Sequence, residues 1–242
     1  THEVITDPAT GTGNFYKLEE RRCTALYCLY KQMDDQRITR REGFHMAGCE
    51  WAALNKKMKE YHDCEWGVPV YDDRVQFEYL ALEVMQCGLS WNTVLQKRET
   101  LRRAFAGFDY EKLAQFDERD VERILSCDGI IKSQGKSKAI LKNARAFMSI
   151  RRETGSFSEY LWSFTGGMPL VYRSHQDKGV PARNMLSQRI AEDLKRRGFT
   201  YIGAVTVYSH LQACGIINDH ARTCPRYEEL VHIYGAAETD GE

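Results

Sequence analysis

The 242-residue chain contains only five prolines and carries no excess of charge of either sign, since 34 lysines and arginines balance 34 aspartates and glutamates. A net charge of zero argues against a general electrostatic nucleic-acid binder, which is usually basic, although local basic patches remain. No apolar run reaches the length that crosses a membrane. The first residues lack a basic segment followed by an apolar stretch, which argues against a secretory signal. We expect no membrane partner.

Cysteine is present but scattered. The eight cysteines are spread over a chain that is too long to depend on disulfides for its stability. Without a secretory signal, we expect reduced thiols, some of which serve as metal ligands.

Strand-like alternation of apolar and polar residues is also scarce, and most segments have the period of an α-helix. We predict an all-α fold with helices near 74–88, 92–106, 111–115, 118–126, 136–152, 157–165, 184–197 and 203–214. The last range is rich in β-branched residues, which favour strands. Its length and its helical neighbours nevertheless favour a helix.

Three parts of the chain differ in character. Residues 1–45 combine a flexible lead with one amphipathic helix, and we treat them as an N-terminal extension. Residues 46–234 are dense in aromatic side chains and form the main domain. Residues 235–242 are small and acidic, which predicts a disordered tail.

The stretch LALEVMQCGLSW, residues 80–91, contains one residue that does not fit its surroundings. Glu83 lies on a helix that is apolar on nearly all sides, and such a helix is buried. A buried carboxylate needs a partner or a function, because an unpaired buried charge is costly. One interpretation is a structural salt bridge to a nearby lysine or arginine. The other is a functional carboxylate in a cleft.

Aromatic residues concentrate near this carboxylate in the sequence. Trp51, Tyr61, Trp66 and Trp91 lie within about forty residues of one another. Flat side chains around one carboxylate suit a flat, cationic or hydrogen-bonding ring, because they offer faces for stacking beside an acceptor. The alternative is a tryptophan-rich core without a ligand.

Two cysteine–histidine pairs have spacings that suit a metal. Cys49 and His62 lie near the start of the main domain, and His220 and Cys224 lie near its end. Two cysteines and two histidines make a closed tetrahedral set of zinc ligands. The spacing alone leaves this site open. His210 and Cys214 repeat the His-x3-Cys spacing inside an apparent helix, and Cys64 competes with the neighbouring histidine.

A basic segment follows the helix predicted at 118–126. The sequence DGIIKSQGKSKAILKNARAF, residues 128–147, contains a glycine-bearing turn and then a helix that starts near Lys136. Free backbone N–H groups at a helix N-terminus with lysines beside them bind phosphate. The segment therefore resembles a helix-hairpin-helix that holds a nucleic-acid backbone. The alternative is an ordinary solvated basic helix.

Three long segments together resemble the DNA-3-methyladenine glycosylase I family. They are YHDCEWGVPVYDDRVQFEYLALEVMQCGLSWNTVLQKRE (61–99), GIIKSQGKSKAILKNARAF (129–147) and KRRGFTYIGAVTVYSHLQACGIINDH (195–220). The resemblance extends from about Ala47 to Cys224. It implies a helix-hairpin-helix DNA glycosylase-like fold for residues 46–234. It also implies a monofunctional enzyme that flips 3-methyladenine out of alkylated double-stranded DNA and excises it by hydrolysis.

The resemblance also implies roles for individual residues. It implies that Glu83 contacts the damaged base, that Tyr61 and Trp91 shape its pocket, and that Trp51 and Trp66 belong to the pocket region. The implied ligands of a structural Zn²⁺, which ties together the two ends of the domain, are Cys49, His62, His220 and Cys224. The implied DNA contacts are Gly88 and Leu89, in a loop that enters the duplex. For the backbone contacts of the hairpin we nominate Gly129, Lys132, Lys136 and Lys138.

Some points depart from the family pattern or stay open. Cys87 stands where the family usually has alanine, and residues 166–183 match poorly, so we assign them no function. No lysine suggests itself for a Schiff base, and we predict no lyase step. We expect a monomer in the compartment that holds DNA, cytoplasmic and associated with the nucleoid if the source is bacterial. The competing interpretations are a catalytically inactive helix-hairpin-helix DNA-binding protein and a zinc-stabilised interaction module.

Overall fold

The computed structural model describes residues 48–240, and the predicted N-terminal extension lies outside them. The described residues belong to one compact unit. The α-helices of the described residues are α1 (Lys56–Cys64), α2 (Asp73–Gln86), α3 (Trp91–Ala104), α4 (Tyr110–Leu113), α5 (Glu118–Ser126), α6 (Gln134–Thr154), α7 (Phe157–Trp162), α8 (Arg173–Lys178), α9 (Met185–Arg196), α10 (Ala204–Ala213) and α11 (Pro225–Tyr234). Short 3-10 helices occupy Glu50–Leu54, Ala106–Phe108 and Ser163–Thr165, and the strands are β1 (Leu170–Tyr172) and β2 (Ala237–Thr239).

The predicted all-α class is confirmed, because a single two-stranded sheet accompanies the helices of the described residues. All eight predicted helices are present, with ends that differ by a few residues. The prediction missed α1, α8 and α11. The β-branched stretch forms α10 only from Ala204 onward, after a turn that contains Gly203.

Helix α2 lies at the centre of the fold. It packs against α3, α6, α7 and α10, and nine of its residues are buried. The Asp72 carboxylate begins it by accepting hydrogen bonds from the backbone N–H groups of Arg74 (2.8 Å) and Val75 (3.3 Å). Because this helix is apolar on nearly all sides, it has no face for solvent. The helix that carries Glu83 is therefore surrounded by other helices.

The predicted disordered tail is wrong for residues 237–239. These residues form β2, which pairs in parallel with β1 in the register Leu170↔Ala237. The Ala237 N–H donates to the Pro169 carbonyl at 2.8 Å. Arg173 adds ion pairs to Glu238 (2.8 Å) and Asp240 (3.3 Å). Strand β1 has unpaired backbone groups along one edge, and the acidic segment pairs with that edge and becomes ordered.

The basic segment forms a helical hairpin made of α5, a turn and α6. Asp117 caps α5 in a capping box with Asp120. Ser133 caps α6 by accepting a hydrogen bond from the Lys136 N–H at 3.5 Å. The turn between the helices spans residues 127–133, with Asp128, Gly129 and Lys132 exposed and Ile130 and Ile131 buried, and the free N–H groups of α6 follow it.

The cysteines agree only in part with the expectation of reduced thiols. Five described cysteines are free, namely Cys49, Cys87, Cys127, Cys214 and Cys224. Cys64 is disulfide-bonded, which contradicts the expectation for that residue. None of the described helices is long and apolar enough to cross a membrane.

Candidate active site and metal centre

A cavity of about 540 Å³ is lined by the carboxylate and all four aromatic residues that the sequence singles out. Glu83 reaches it from α2, and Tyr61 reaches it from α1. Trp51 lies in the first 3-10 helix, Trp66 follows α1, and Trp91 is the first residue of α3. Four separate elements therefore bring these side chains together. The volume is within the range of pockets that enclose a small ligand.

The aromatic rings form the wall of the cavity. The Tyr61 and Trp91 ring centroids lie 5.2 Å apart, with the planes inclined by 52°. The Trp51 and Trp66 rings meet edge to face at 5.0 Å and 85°. The indole N–H of Trp91 is buried and has no hydrogen-bond partner among residues 48–240. The wall therefore offers faces for stacking and one unused donor.

Glu83 is 4% exposed, and no ion pair within residues 48–240 involves it. This finding disfavours the structural salt bridge that the sequence left open. Burial raises the pKa of the Glu83 carboxyl to about 8, because the low-dielectric surroundings penalise the charged form. Burial also raises the pKa of the Tyr61 hydroxyl well above its usual range. The pocket therefore holds a carboxyl group that ionises more readily when a positive charge is nearby.

The cavity lining also contains a polar cluster that the sequence analysis missed. The Asp219 carboxylate is bonded to His175 Nδ1 at 2.7 Å. It accepts further hydrogen bonds from the Tyr208 hydroxyl (2.6 Å) and the Gln212 amide (2.8 Å). Three of these residues, His175, Gln212 and Asp219, line the cavity. His175 belongs to the segment 166–183, where the weak match to the family left no signal.

The four predicted metal ligands meet at one place. The ligand atoms of Cys49, His62, His220 and Cys224 all lie within 4.8 Å of one another. Cys224 Sγ lies 3.5 Å from His62 Nε2 and 3.6 Å from His220 Nδ1, and Cys49 Sγ lies 3.7 Å from His220 Nδ1. In a tetrahedral site with Zn–S of about 2.3 Å and Zn–N of about 2.0 Å, sulfur and nitrogen ligands are about 3.5 Å apart. The cluster has the donors and the size for a metal ion.

The other ring nitrogen of each histidine is held by the protein. His62 Nδ1 lies 2.8 Å from the Asp63 carboxylate, and His220 Nε2 lies 3.0 Å from the Trp66 carbonyl. Such partners fix the tautomer and orientation of metal-binding histidines. Here they turn His62 Nε2 and His220 Nδ1 towards the two sulfurs. The cluster joins the start of the compact unit to its end.

The three hairpin lysines differ in what their ammonium groups contact. Lys132 is exposed and has no hydrogen bond or ion pair among the described residues. The Lys138 ammonium forms an ion pair with Glu118 at 2.8 Å. The Lys136 ammonium donates to the backbone carbonyls of Met85 (2.8 Å) and Cys87 (2.5 Å). Sequence could nominate all three, because composition does not show where an ammonium group points.

The remaining hairpin residue, Gly129, is held from α3. Its carbonyl accepts a hydrogen bond from the Lys97 ammonium at 2.5 Å.

Gly88 and Leu89 lie in the loop between α2 and α3. Gly88 has a φ of +76°, the left-handed conformation that favours glycine, and it is exposed. The loop is therefore a tight turn that leaves the deep end of α2 and reaches the surface.

The chain matches the family model described as methyladenine glycosylase over residues 51–227. The chain belongs to this family. It is 41% identical over 182 residues to DNA-3-methyladenine glycosylase 1 of Escherichia coli (strain K12), which covers 75% of this chain and 97% of the relative. It is 38% identical over 177 residues to DNA-3-methyladenine glycosylase of Haemophilus influenzae, with 73% and 96% covered.

Solved structures of the family share the fold. A 3-methyladenine DNA glycosylase I from Staphylococcus aureus, studied for its recognition of 3-methyladenine, is 35% identical with a TM-score of 0.71, covering 75% of this chain and 97% of that one. A variant 3-methyladenine DNA glycosylase I in complex with 3-methyladenine is 35% identical with a TM-score of 0.69, covering 73% and 95%. The predicted family membership is therefore confirmed.

Proposed function

We propose that this chain is a monofunctional DNA glycosylase that flips 3-methyladenine out of alkylated double-stranded DNA and hydrolyses its bond to the sugar. The observation that carries the proposal is the buried Glu83 carboxyl, which has no ion-pair partner in the described chain and faces an aromatic cavity. Membership of the methyladenine glycosylase family supports the same substrate. The target base must leave the stack to reach a cavity of this kind.

The chemistry of the lesion explains why this pocket suits it. Methylation at N3 gives adenine a positive charge and weakens its bond to the sugar, so the base is already a good leaving group. The enzyme therefore needs discrimination more than acid catalysis. A cationic ring packed against the aromatic wall that Tyr61 and Trp91 form gains from stacking and from cation–π attraction.

Glu83 adds a second source of discrimination. A positive charge near a buried carboxyl favours its ionised form and lowers its pKa. The cationic base thus generates its own counter-ion when it enters the pocket, whereas neutral adenine does not. Selectivity is the difference between these two binding free energies. We assign Glu83 to recognition of the polar edge of the base and to stabilisation of its charge.

We propose that Cys49, His62, His220 and Cys224 hold a structural Zn²⁺. A closed set of four sulfur and nitrogen ligands leaves no position for water or substrate, which is the pattern of structural sites. When bound, the ion supplies cross-linking energy and no catalytic step. Its ligands hold the segment that carries Trp51 against the segment that carries Asp219. The metal centre therefore helps to keep the two walls of the cavity in place.

We propose that DNA lies along the hairpin, with Gly88 and Leu89 entering the duplex near the lesion. The exposed Lys132 ammonium and the free N–H groups of α6 are suited to phosphate, and Gly129 lies in the turn that leads to them. Lys138 can contribute only in exchange with its partner Glu118. On this proposal, the flipped base enters the cavity from the side of the loop that carries Gly88 and Leu89.

The test is base release. The protein is incubated with methylated duplex DNA and with the same duplex before methylation, and liberated bases are identified by chromatography. Release of 3-methyladenine from the methylated duplex alone is the expected result. Duplex binding without release would instead indicate a catalytically inactive DNA-binding protein. Release of 7-methylguanine in similar amounts would contradict the proposed selectivity.

A further inference from the structure

The loop that carries Gly88 and Leu89 is held by a side chain from the hairpin. Helix α2 ends at Gln86, and the last carbonyl groups of a helix have no partner within it. The Lys136 ammonium fills this position, because it donates to the Met85 carbonyl at 2.8 Å and to the Cys87 carbonyl at 2.5 Å. A cation at a helix C-terminus also interacts favourably with the helix dipole.

The same loop is tightly fixed by its own atoms. The Leu89 N–H donates to the Gln86 carbonyl at 2.6 Å, and the Gln86 amide donates to the Leu89 carbonyl at 2.9 Å. Ser90 then caps α3 by accepting from the Thr93 N–H at 3.1 Å. The loop 87–90 is therefore held together by its own hydrogen bonds, and Lys136 attaches it to the hairpin.

The segment that contains Tyr201 and Thr206 packs beside the contact between Lys136 and the loop 87–90. The Cys87 thiol lies 3.9 Å from the Tyr201 carbonyl and 3.7 Å from the Thr206 hydroxyl. The Tyr201 hydroxyl lies so close to Gly135 that a Cβ atom there would stand 2.6 Å from it. Gly135 precedes Lys136, so the start of α6 packs against both the loop 87–90 and the segment before α10.

We propose that Lys136 is a positioning residue for base excision rather than a phosphate ligand. This inference rests on the proposed function. The hairpin holds the DNA backbone, and the loop 87–90 enters the duplex, so the distance between them decides whether the lesion is placed opposite the cavity. Lys136 sets that distance through two backbone carbonyls. Its ammonium group is already occupied and is not available to a phosphate.

Lys136→Met removes the two hydrogen bonds and keeps much of the side-chain length. We expect it to bind duplex DNA with the affinity and salt dependence of the wild type. Its single-turnover rate of 3-methyladenine release should fall by roughly 10- to 100-fold, because small displacements of a reacting group have effects of this size. Free 3-methyladenine should bind as in the wild type, since the cavity is unchanged. Lys136→Arg, which keeps a cationic donor, should restore most of the rate.

Lys132→Met is the matched control, because it removes the same charge from the same hairpin without breaking an internal contact. It should weaken DNA binding and lower the slope of log K against log salt by about 1. A similar loss of slope in Lys136→Met, or wild-type excision by it, would overturn the proposal. If Lys136→Met lacks a cooperative melting transition, Lys136→Gln takes the same measurements and decides by the same criteria. Absence of base release by the wild type would refute the proposed function instead.

Discussion

Cys224 Sγ lies 3.5 Å from His62 Nε2, although 162 residues separate them in the chain. Together with Cys49 and His220, this contact joins the start of the compact unit to its end. A metal at this point closes a loop that contains nearly all of the described chain. Such cross-links act mainly on the stability of the fold, because the ligand set rarely exists in the unfolded state.

Cys224→Ala should lower the melting temperature and abolish stoichiometric zinc. A loss of about 3 kcal/mol corresponds to a fall of roughly 6–12 °C for a domain of this size. The measurements are metal analysis of the pure protein and thermal melting with and without a chelator. Cys214→Ala is the control, because it changes a buried thiol outside the cluster and should keep both the zinc and the response to chelator. Wild-type protein that contains no stoichiometric zinc would contradict the assignment.

Glu83→Gln should fold normally but excise 3-methyladenine more slowly, on the order of 10²-fold, which is the usual cost of removing one group that stabilises charge in an active site. Glutamine keeps the shape of the side chain and cannot become an anion beside the cationic base. Single-turnover base release and titration with free 3-methyladenine measure the two effects. Unchanged rates and affinity in the Gln variant would eliminate the role in recognition.

The same substitution should change how stability depends on pH. Burial raises the folded-state pKa of Glu83 to about 8, from an ordinary value of 4.5. Between these values the unfolded chain releases its proton and the folded protein keeps it, so stability falls as pH rises through this window. The full loss is about 5 kcal/mol, at about 1.4 kcal/mol per pH unit. The stability of Glu83→Gln relative to the wild type should therefore increase from pH 5 to pH 8, as measured by urea unfolding at each pH. A constant difference would mean that the carboxyl is ionised in the folded protein.

Much of the fold was predictable because helical periodicity is a local signal. The eight helices predicted from this periodicity are all present. The three-residue strands were not predictable, because a strand as short as Ala237–Thr239 exists only through its pairing with Leu170–Tyr172. Helix α8 lacks a periodic apolar pattern and lies in the segment that resembles the family least.

The candidate site divides in the same way. Glu83 was found because a single carboxylate contradicts its apolar surroundings, and the family resemblance supplied the four metal ligands. The His175–Asp219 pair was missed, because its members lie 44 residues apart and neither disturbs a local pattern. The directions of Lys132 and Lys136 were equally hidden. The sequence shows the charge of a lysine, but only the packed structure shows whether its ammonium group faces solvent or a helix end.

His210 should make the protein sensitive to acid. It is 1% exposed, and neither ring nitrogen has a hydrogen-bond partner within residues 48–240. Burial lowers its pKa to about 3, from an ordinary value of 6.5. Below pH 6.5 the His210 side chain binds a proton in the unfolded chain but stays neutral in the folded protein. The free energy of unfolding therefore decreases by about 1.4 kcal/mol for each unit by which the pH falls, down to about pH 3.

His210→Phe replaces the ring with an apolar one of similar size and should remove this contribution. We expect greater stability at neutral pH, by about 1–3 kcal/mol, because two unsatisfied polar atoms disappear. The gain should grow by about 2 kcal/mol between pH 6.5 and pH 5, since only the wild type then loses stability through this residue. Urea unfolding at both pH values measures it. Equal gains at the two pH values would show that burial does not lower the pKa of His210.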